Sequence, residues 1–258
     1  MQKMKRFKLM FEWFLYSQDR LCRIFDQFLP GFMKRWGYRD FVLEVLPGAL
    51  KPGLSIIDVG GGKRPVIDAK TKRRLSLKVI GLDIASEELA KAPEGCYDQV
   101  IVANICENVP SLAVDLVVAL AVLEHVPDVE RALANIARML KPGGRALIFV
   151  PGRNSLYARL NLLIPEKVKR ALLKIFFRRS AEQQGFRSYY DRCTPERFKG
   201  MAAANGLEVE EELLYFQSAY FSIFLPLHAL YRLLTLLQFL VIGNEAAETF
   251  TLILRRQD

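Results

Sequence analysis

Residues 54–62 read Leu54-Ser55-Ile56-Ile57-Asp58-Val59-Gly60-Gly61-Gly62. A short apolar run rich in isoleucine and valine has the character of a strand buried in a parallel sheet. The three glycines after it let the backbone turn tightly and let a ligand approach closely. At the carboxyl end of the first strand of an α/β sheet, such a turn is where a nucleotide-like cofactor sits. Outward from this point the chain alternates strand and helix patterns as far as about residue 151, with strand candidates at 54–59, 78–83, 98–104, 115–121 and 145–150. The clearest helix, 128–140, carries Val129, Ala132, Leu133, Ile136 and Leu140 on one face and is stopped by Lys141-Pro142-Gly143-Gly144. This alternation predicts a parallel sheet covered by helices on both faces.

Beyond the alternating region, Thr194 is a candidate N-cap with Pro195 at the first helical position, and 207–216 and 247–255 read as two final strands. Between them Tyr220 to Ile242 is almost wholly apolar and long enough to cross a bilayer. Pro226, His228, Arg232 and Gln238 interrupt it. If the flanking strands pair in one sheet, the insert leaves and returns on the same side, which excludes a single crossing. A re-entrant or interfacial helix fits, as does a helical cap over the site. Residues 7–29 have helical periodicity with an unusually aromatic face, ended by Pro30-Gly31. This helix either packs on the main domain or lies on a membrane. Residues 155–180 are basic and amphipathic. The expected organisation is an N-terminal amphipathic helical region, 1–50, and a main domain, 51–258, with helical segments at 155–180 and 217–244.

The 258 residues carry a formal charge of +9, which favours anionic partners such as nucleic acid, a phospholipid surface or acidic substrates. Cys22, Cys96, Cys106 and Cys193 are scattered and form no C-x-x-C pair, so they read as reduced, buried thiols. With His125 and His228 the only histidines, no multi-histidine metal site is expected. The basic start reads as no signal peptide, because Glu12, Asp19 and Arg20 break the apolar stretch after it.

The glycine turn alone does not choose a cofactor. A dinucleotide fold wants G-x-G-x-x-G, and here the third position falls on Pro65, which has no N–H for a phosphate. The glycine-to-lysine spacing of a P-loop is absent. Asp83 ends the next strand, Val79-Ile80-Gly81-Leu82-Asp83, 21 residues after Gly62, where a carboxylate can accept both ribose hydroxyls of a nucleoside. Ser86 is the better cap for the helix that follows, which would leave Asp83 to the ligand.

Five blocks, Asp58-Val59-Gly60-Gly61-Gly62, Gly81-Leu82-Asp83, Asp115-Leu116-Val117-Val118, Leu123-Glu124-His125-Val126 and Leu140-Lys141-Pro142-Gly143-Gly144, stand in the order and spacing of the class I S-adenosylmethionine-dependent methyltransferases. The chain most resembles the broad group that includes quinone-pathway, lipid and small-molecule enzymes. The resemblance covers about residues 50–151 and the last two strands. It implies a Rossmann-like α/β fold: a seven-stranded, mostly parallel sheet with the last strand antiparallel, plus the N-terminal and inserted amphipathic helices. It implies that Asp58, Gly60, Gly61 and Gly62 line the methionine end of S-adenosylmethionine, that Asp83 binds the ribose, and that Ile84 packs on the adenine. Asn104 and Ile105 fall near the adenine amine, with Asn104 where the family often has an acid. Ala119 and Leu120 reach the methionine moiety through backbone groups.

His125, just beyond the fourth strand, is the candidate general base; alternatively it braces the following helix. Ubiquinone-pathway O-methyltransferases, which this segment resembles, have a metal-binding Glu-x-x-Glu-His motif; here Ala121 replaces the first glutamate, so no metal is assigned. Tyr157, Tyr189, Tyr190, Asp191 and Arg192 are acceptor-site candidates, and the run Arg187-Ser188-Tyr189-Tyr190-Asp191-Arg192 reads equally as a polar-headgroup site and as a solvated loop joining two helices. Together the apolar, aromatic and basic segments predict a cytoplasmic enzyme held on the inner face of an anionic membrane. Its expected acceptor is a lipid, a quinone or a lipid-linked compound. A soluble small-molecule or RNA methyltransferase and a non-catalytic scaffold remain alternative readings.

Overall fold

The computed structural model describes residues 2–107, 109–110, 112–164, 187–217 and 222–257, and for residues 2–8 the backbone alone. Seven strands form one sheet: β1 (Ser55–Val59), β2 (Lys78–Asp83), β3 (Gln99–Val102), β4 (Val114–Leu120), β5 (Leu140–Pro151), β6 (Leu207–Tyr215) and β7 (Thr249–Arg256). Their order is β3-β2-β1-β4-β5-β7-β6, with β1 to β5 parallel and β7 antiparallel to both β5 and β6. The strand pattern read from the sequence is thus present, as is the antiparallel last strand. One boundary differs. The Lys141-Pro142-Gly143-Gly144 stretch does end a helix, but it already belongs to β5, which joins the ladder at Leu140 through a register shift opposite β4.

The helices are α1 (Gln2–Gln27), α2 (Gly37–Asp40), α3 (Leu46–Ala49), α4 (Ala69–Arg74), α5 (Ser86–Leu89), α6 (Val129–Met139), α7 (Leu156–Leu163), α8 (Pro195–Ala204) and α9 (Leu225–Ile242). Asp128 caps α6 by accepting from the Arg131 amide at 3.1 Å. Thr194 occupies the N-cap position of α8 without a side-chain capping bond; Glu245 instead accepts from the Glu196 amide at 2.9 Å. One face of the sheet packs against α6 and α8 through Val129, Leu133, Ile136, Phe198 and Met201. The other packs against Phe41, Leu46, Ile67 and Leu77. All four cysteines are buried and unpaired. Most of the basic segment 155–180 lies outside the described residues; its start is α7.

Helix α9 and the end of α1 form a third packed unit, and its centre is polar. Arg232 is fully buried. Its Nε donates to Asp26 Oδ1 of α1 at 3.0 Å, and its terminal nitrogens donate to the Phe216 and Met33 carbonyls. His228 Nε2 stands 3.0 Å from the same Asp26 oxygen. Tyr231, one residue before Arg232, donates to Glu248 at 2.7–2.8 Å. A buried cation with all its partners in place is tolerated; removing one partner strands the others. Arg232→Met leaves Asp26 with His228 alone and strips two buried carbonyls of their donor, and is expected to cost about 3–5 kcal/mol in urea unfolding, with α1 amides losing hydrogen-exchange protection first.

Candidate active site

The carboxyl ends of β1, β2 and β4 open into a cleft of about 760 Å³, a size suited to a small-molecule ligand. Asp58, the penultimate residue of β1, is wholly enclosed. Its Oδ2 accepts from the Val66 amide and from the Tyr97 hydroxyl, both at 2.9 Å, while its Oδ1 has no hydrogen-bond partner. Burial pushes this carboxyl up to about 6, against the pull of those two donors. The glycines fit around it. A Cβ on Gly61 would overlap both the Asp58 carboxylate and the Tyr97 hydroxyl, and one on Gly60 would overlap the Val122 side chain. Gly60 and Gly62 also hold positive φ, at 69° and 45°, where side chains are disfavoured. Tyr97 carried no motif and was missed in the sequence. The legible sign of it was Gly81 inside β2, where any Cβ would strike the Tyr97 ring.

Asp83 ends β2 and lines the cleft opposite Gly62. The expectation that Ser86 caps the next helix needs correction. Ser86 is already inside α5, and Asp83 Oδ1 accepts from the Ala85 amide at 2.9 Å. One oxygen of Asp83 is therefore engaged in this local turn. Burial raises its pKa. Ile84, beside it in the cleft wall, is 54% exposed. Asn104 and Ile105 line the same wall, but the Asn104 side chain is tied locally: its Oδ1 accepts from the Cys106 amide and its Nδ2 donates to Glu107, both at 3.0 Å. Ala119 does not reach the cleft. It is fully buried in the core, and the wall is made by Leu120, Ala121 and Val122 as the chain leaves β4. Ala121 holds φ at 54°, a left-handed residue that turns the chain there.

His125 lines the cleft, and Nδ1 lies 3.2 Å from the Arg187 carbonyl and 3.3 Å from Ser188 Oγ. A carbonyl can only accept, so Nδ1 carries the hydrogen and Nε2 holds the lone pair. Glu124 Oε1 is 3.6 Å from Nε2. The Glu124 carboxyl is buried, with Oε2 unpartnered, and burial pushes it up to about 8. With Ala121 supplying no ligand, the donor set is one carboxylate short of a Glu-x-x-Glu-His site. Among the described residues no group of three or more His, Cys, Asp or Glu side chains is placed to hold a metal ion.

Of the acceptor-site candidates, only Tyr189 lines the cleft, with the Arg187 guanidinium 5.0 Å over its ring. Tyr190 turns away at φ 49° and is buried. Arg192 pairs with Glu130 at 2.7 Å and Asp191 at 3.2 Å, and lies in a separate polar depression. Tyr157 sits on α7 outside the cleft lining. The cleft wall also takes in Val126, from the Leu123-Glu124-His125-Val126 block, Arg187, and Tyr38, which no motif marked.

Two predictions follow from these carboxyls. Asp58 must be ionised to bind a cationic group, so affinity for S-adenosylmethionine falls as pH drops through about 6. Tyr97→Phe removes a donor that favours the ionised form. Calorimetric titration is expected to show the acid limb moved upward by roughly one pH unit, with the fold intact. The Glu124 carboxyl is raised from 4.5 to about 8, so the stabilisation of its neutral form is complete below 4.5 and is lost as pH rises through 8. Glu124→Gln is accordingly expected to be more stable relative to the parent at pH 8 than at pH 5, measured by urea unfolding.

The residues present fit an S-adenosylmethionine site: an unpartnered buried carboxylate oxygen, glycines with no room for a Cβ, and a second carboxylate across the cleft. A family profile described as a methyltransferase domain matches residues 31–212. The chain is 29% identical over 186 residues to the human mitochondrial ubiquinone biosynthesis O-methyltransferase, covering 67% of this chain and 47% of that protein. It is 36% identical over 123 residues to the ubiquinone biosynthesis O-methyltransferase of Sodalis glossinidius, covering 45% and 47%. It is 30% identical over 136 residues to phosphoethanolamine N-methyltransferase 2 of Caenorhabditis elegans, covering 48% and 30%. The chain thus spans less than half the length of these relatives. Among solved structures, the [4+2]-cyclase SpnF shares the fold with a TM-score of 0.51 at 18% identity, covering 88% of this chain and 86% of that one. The profile match takes in most of the sheet and the whole glycine turn, and on that ground the chain belongs to the methyltransferase-domain family, the class I S-adenosylmethionine-dependent methyltransferases.

Proposed function

We propose that the chain transfers a methyl group from S-adenosylmethionine to a hydrophobic, quinone-type or lipid-like acceptor at a membrane surface. The observation that carries this reading is the mixed lining of the cleft, in which Asp58, Asp83 and the glycines of the β1 turn stand with the apolar and aromatic side chains of Tyr38, Val122, Val126 and Tyr189. Support for the acceptor class comes from relatives named ubiquinone biosynthesis O-methyltransferases.

When bound, the sulfonium supplies an electrophilic methyl group. The chain's residues do the rest. The unpartnered Oδ1 of Asp58 receives the ammonium of the methionine end. Gly60, Gly61 and Gly62 leave room for it, with Leu120 and Ala121 as the opposite backbone. Asp83 takes the ribose hydroxyls through the carboxyl capacity left beside its bond to Ala85. Ile84 covers the adenine, with Asn104 and Ile105 along its edge. His125, its Nδ1 held by the Arg187 carbonyl, takes the acceptor's proton on Nε2. Tyr189 contacts the acceptor from the far wall.

The test is a labelled-methyl assay against total lipid extract of the source organism, with a soluble RNA pool in parallel. Label in the lipid fraction is the expected outcome; label in RNA alone, or none with S-adenosylmethionine bound, would sink the acceptor reading. His125→Asn is expected to lower the rate by about 10²–10⁴-fold while leaving cofactor affinity unchanged. An unaltered rate would remove the base.

A further inference from the structure

Helix α9 is built inside out. Its buried positions are His228, Tyr231, Arg232 and Thr235, spaced three and four apart, so its polar side chains form the face turned inward. Its outward face is aliphatic: Leu230 and Leu237 are more than half exposed, Leu240 is 71% exposed and Val241 82%. A soluble surface helix has the opposite arrangement. Helix α1 packs beside it, and it too presents apolar groups outward, with Leu9 68% and Trp13 70% exposed. An apolar surface of this extent on one side of a domain marks an interaction site.

The helical run from Leu225 is long and apolar enough to cross a bilayer, but the fold does not let it. The strands that flank it are neighbours in one sheet, Tyr215 of β6 lying opposite Thr249 of β7, so the segment starts and ends at the same place. Its middle is also held to protein: Arg232 is bonded to Asp26 of α1 and to the Met33 and Phe216 carbonyls. That pin keeps α9 alongside α1.

We propose that the outward faces of α1 and α9 form one plate that docks on an anionic bilayer, with α9 lying against the surface rather than through it. Charge selects this occupant. The chain carries +9, and residues 2–27 hold six lysines and arginines against three acids. A chain and a helix of that net charge favour anionic headgroups and disfavour a second copy of the same helix. Trp13 and Tyr16, both exposed on α1, are the side chains that settle at a membrane–water boundary. The plate also lies at the cleft's edge of the sheet. The chain runs from α1 through Phe32, whose ring stacks 4.5 Å from Phe239 of α9, to Tyr38 in the cleft wall. This deepens the acceptor reading above, since it brings the cleft to the lipid where a hydrophobic acceptor would reside.

The test uses the full chain, with vesicles of phosphatidylcholine alone or mixed with phosphatidylglycerol. The chain has two tryptophans, Trp13 and Trp36, so Trp36→Phe leaves Trp13 as the single reporter. Flotation with the anionic vesicles, a blue shift of Trp13 emission, and release by alkaline carbonate are the expected results. Leu237→Glu with Leu240→Glu, both on the outward face, is expected to weaken binding at least about tenfold with circular dichroism and S-adenosylmethionine affinity unchanged. Retention after carbonate would mean a span and overturn the proposal. So would absence of vesicle binding, binding by the double variant equal to the parent, or a concentration-dependent dimer abolished by that variant. Loss of docking with methyl transfer to a detergent-dispersed acceptor intact would sink this proposal alone; docking with no methyl transfer would sink the acceptor reading alone.

Discussion

The burial of Asp58 is the constraint around which the site is organised. A carboxylate taken wholly out of water must have donors, and it finds two on one oxygen, the Val66 amide and the Tyr97 hydroxyl. Bringing Tyr97 that close forces glycine at 81 in β2 and at 61 in the turn, because a Cβ at either position collides with it. The same turn sets Gly60 against Val122, which ties the β1 loop to the chain leaving β4. The glycine cluster is therefore more than a flexible loop. Each glycine answers a specific neighbour, and one of those neighbours, Tyr97, is held by a buried carboxyl whose second oxygen has no protein partner.

A second buried ion, Arg232, does comparable work for the periphery, in the opposite sense. In the cleft, polar groups are kept unsatisfied so that a ligand can satisfy them. Between α1 and α9 they are paired with one another: Arg232 and His228 with Asp26, Tyr231 with Glu248. Burying ions is rarely a gain in stability over a well-packed apolar contact. What the polar seam supplies here is orientation. A helix with leucines on every side could rotate on its neighbour; one whose only charged group must meet Asp26 has a single register, and that register turns the leucines outward.

Much of this was legible in the sequence, and for reasons that can be stated. The central strands show themselves because parallel strands buried on both faces are continuous apolar runs. The cofactor turn shows itself because its chemistry needs an acid and glycines at fixed spacing. The insert of α9 could be denied a single crossing from the pairing of its flanking strands. The failures in the segment before α8 share one cause, long-range contacts that override local chemistry; those at Ser86 and Ala119 are shifts of an element boundary by one residue. The stretch 187–192 looks uniformly polar and aromatic, yet consecutive residues part company: Tyr189 faces the cleft, Tyr190 is buried by a left-handed turn, and Arg192 is consumed by Glu130 and Asp191. Ser86 looked like a cap, but the helix starts at it rather than after it. Ala119 was one residue too early, since the strand runs on to Leu120 and only then opens into the cleft.

The wall that holds the acceptor candidates hangs on one carbonyl. The backbone oxygen of Glu124 accepts from the amides of both Tyr189 and Tyr190, at 2.8 and 3.0 Å. The next residue, His125, is braced by the carbonyl of Arg187 and by Ser188 from the same segment. The loop after β4 and the segment before α8 are therefore a single hydrogen-bonded assembly. This couples the two halves of the reaction physically. The β4 loop lines the cleft through Leu120 and Ala121, and the partner segment lines it through Tyr189. The Glu124 side chain beneath, buried and pushed toward its neutral form, lets that junction sit in the core without an ion to hydrate.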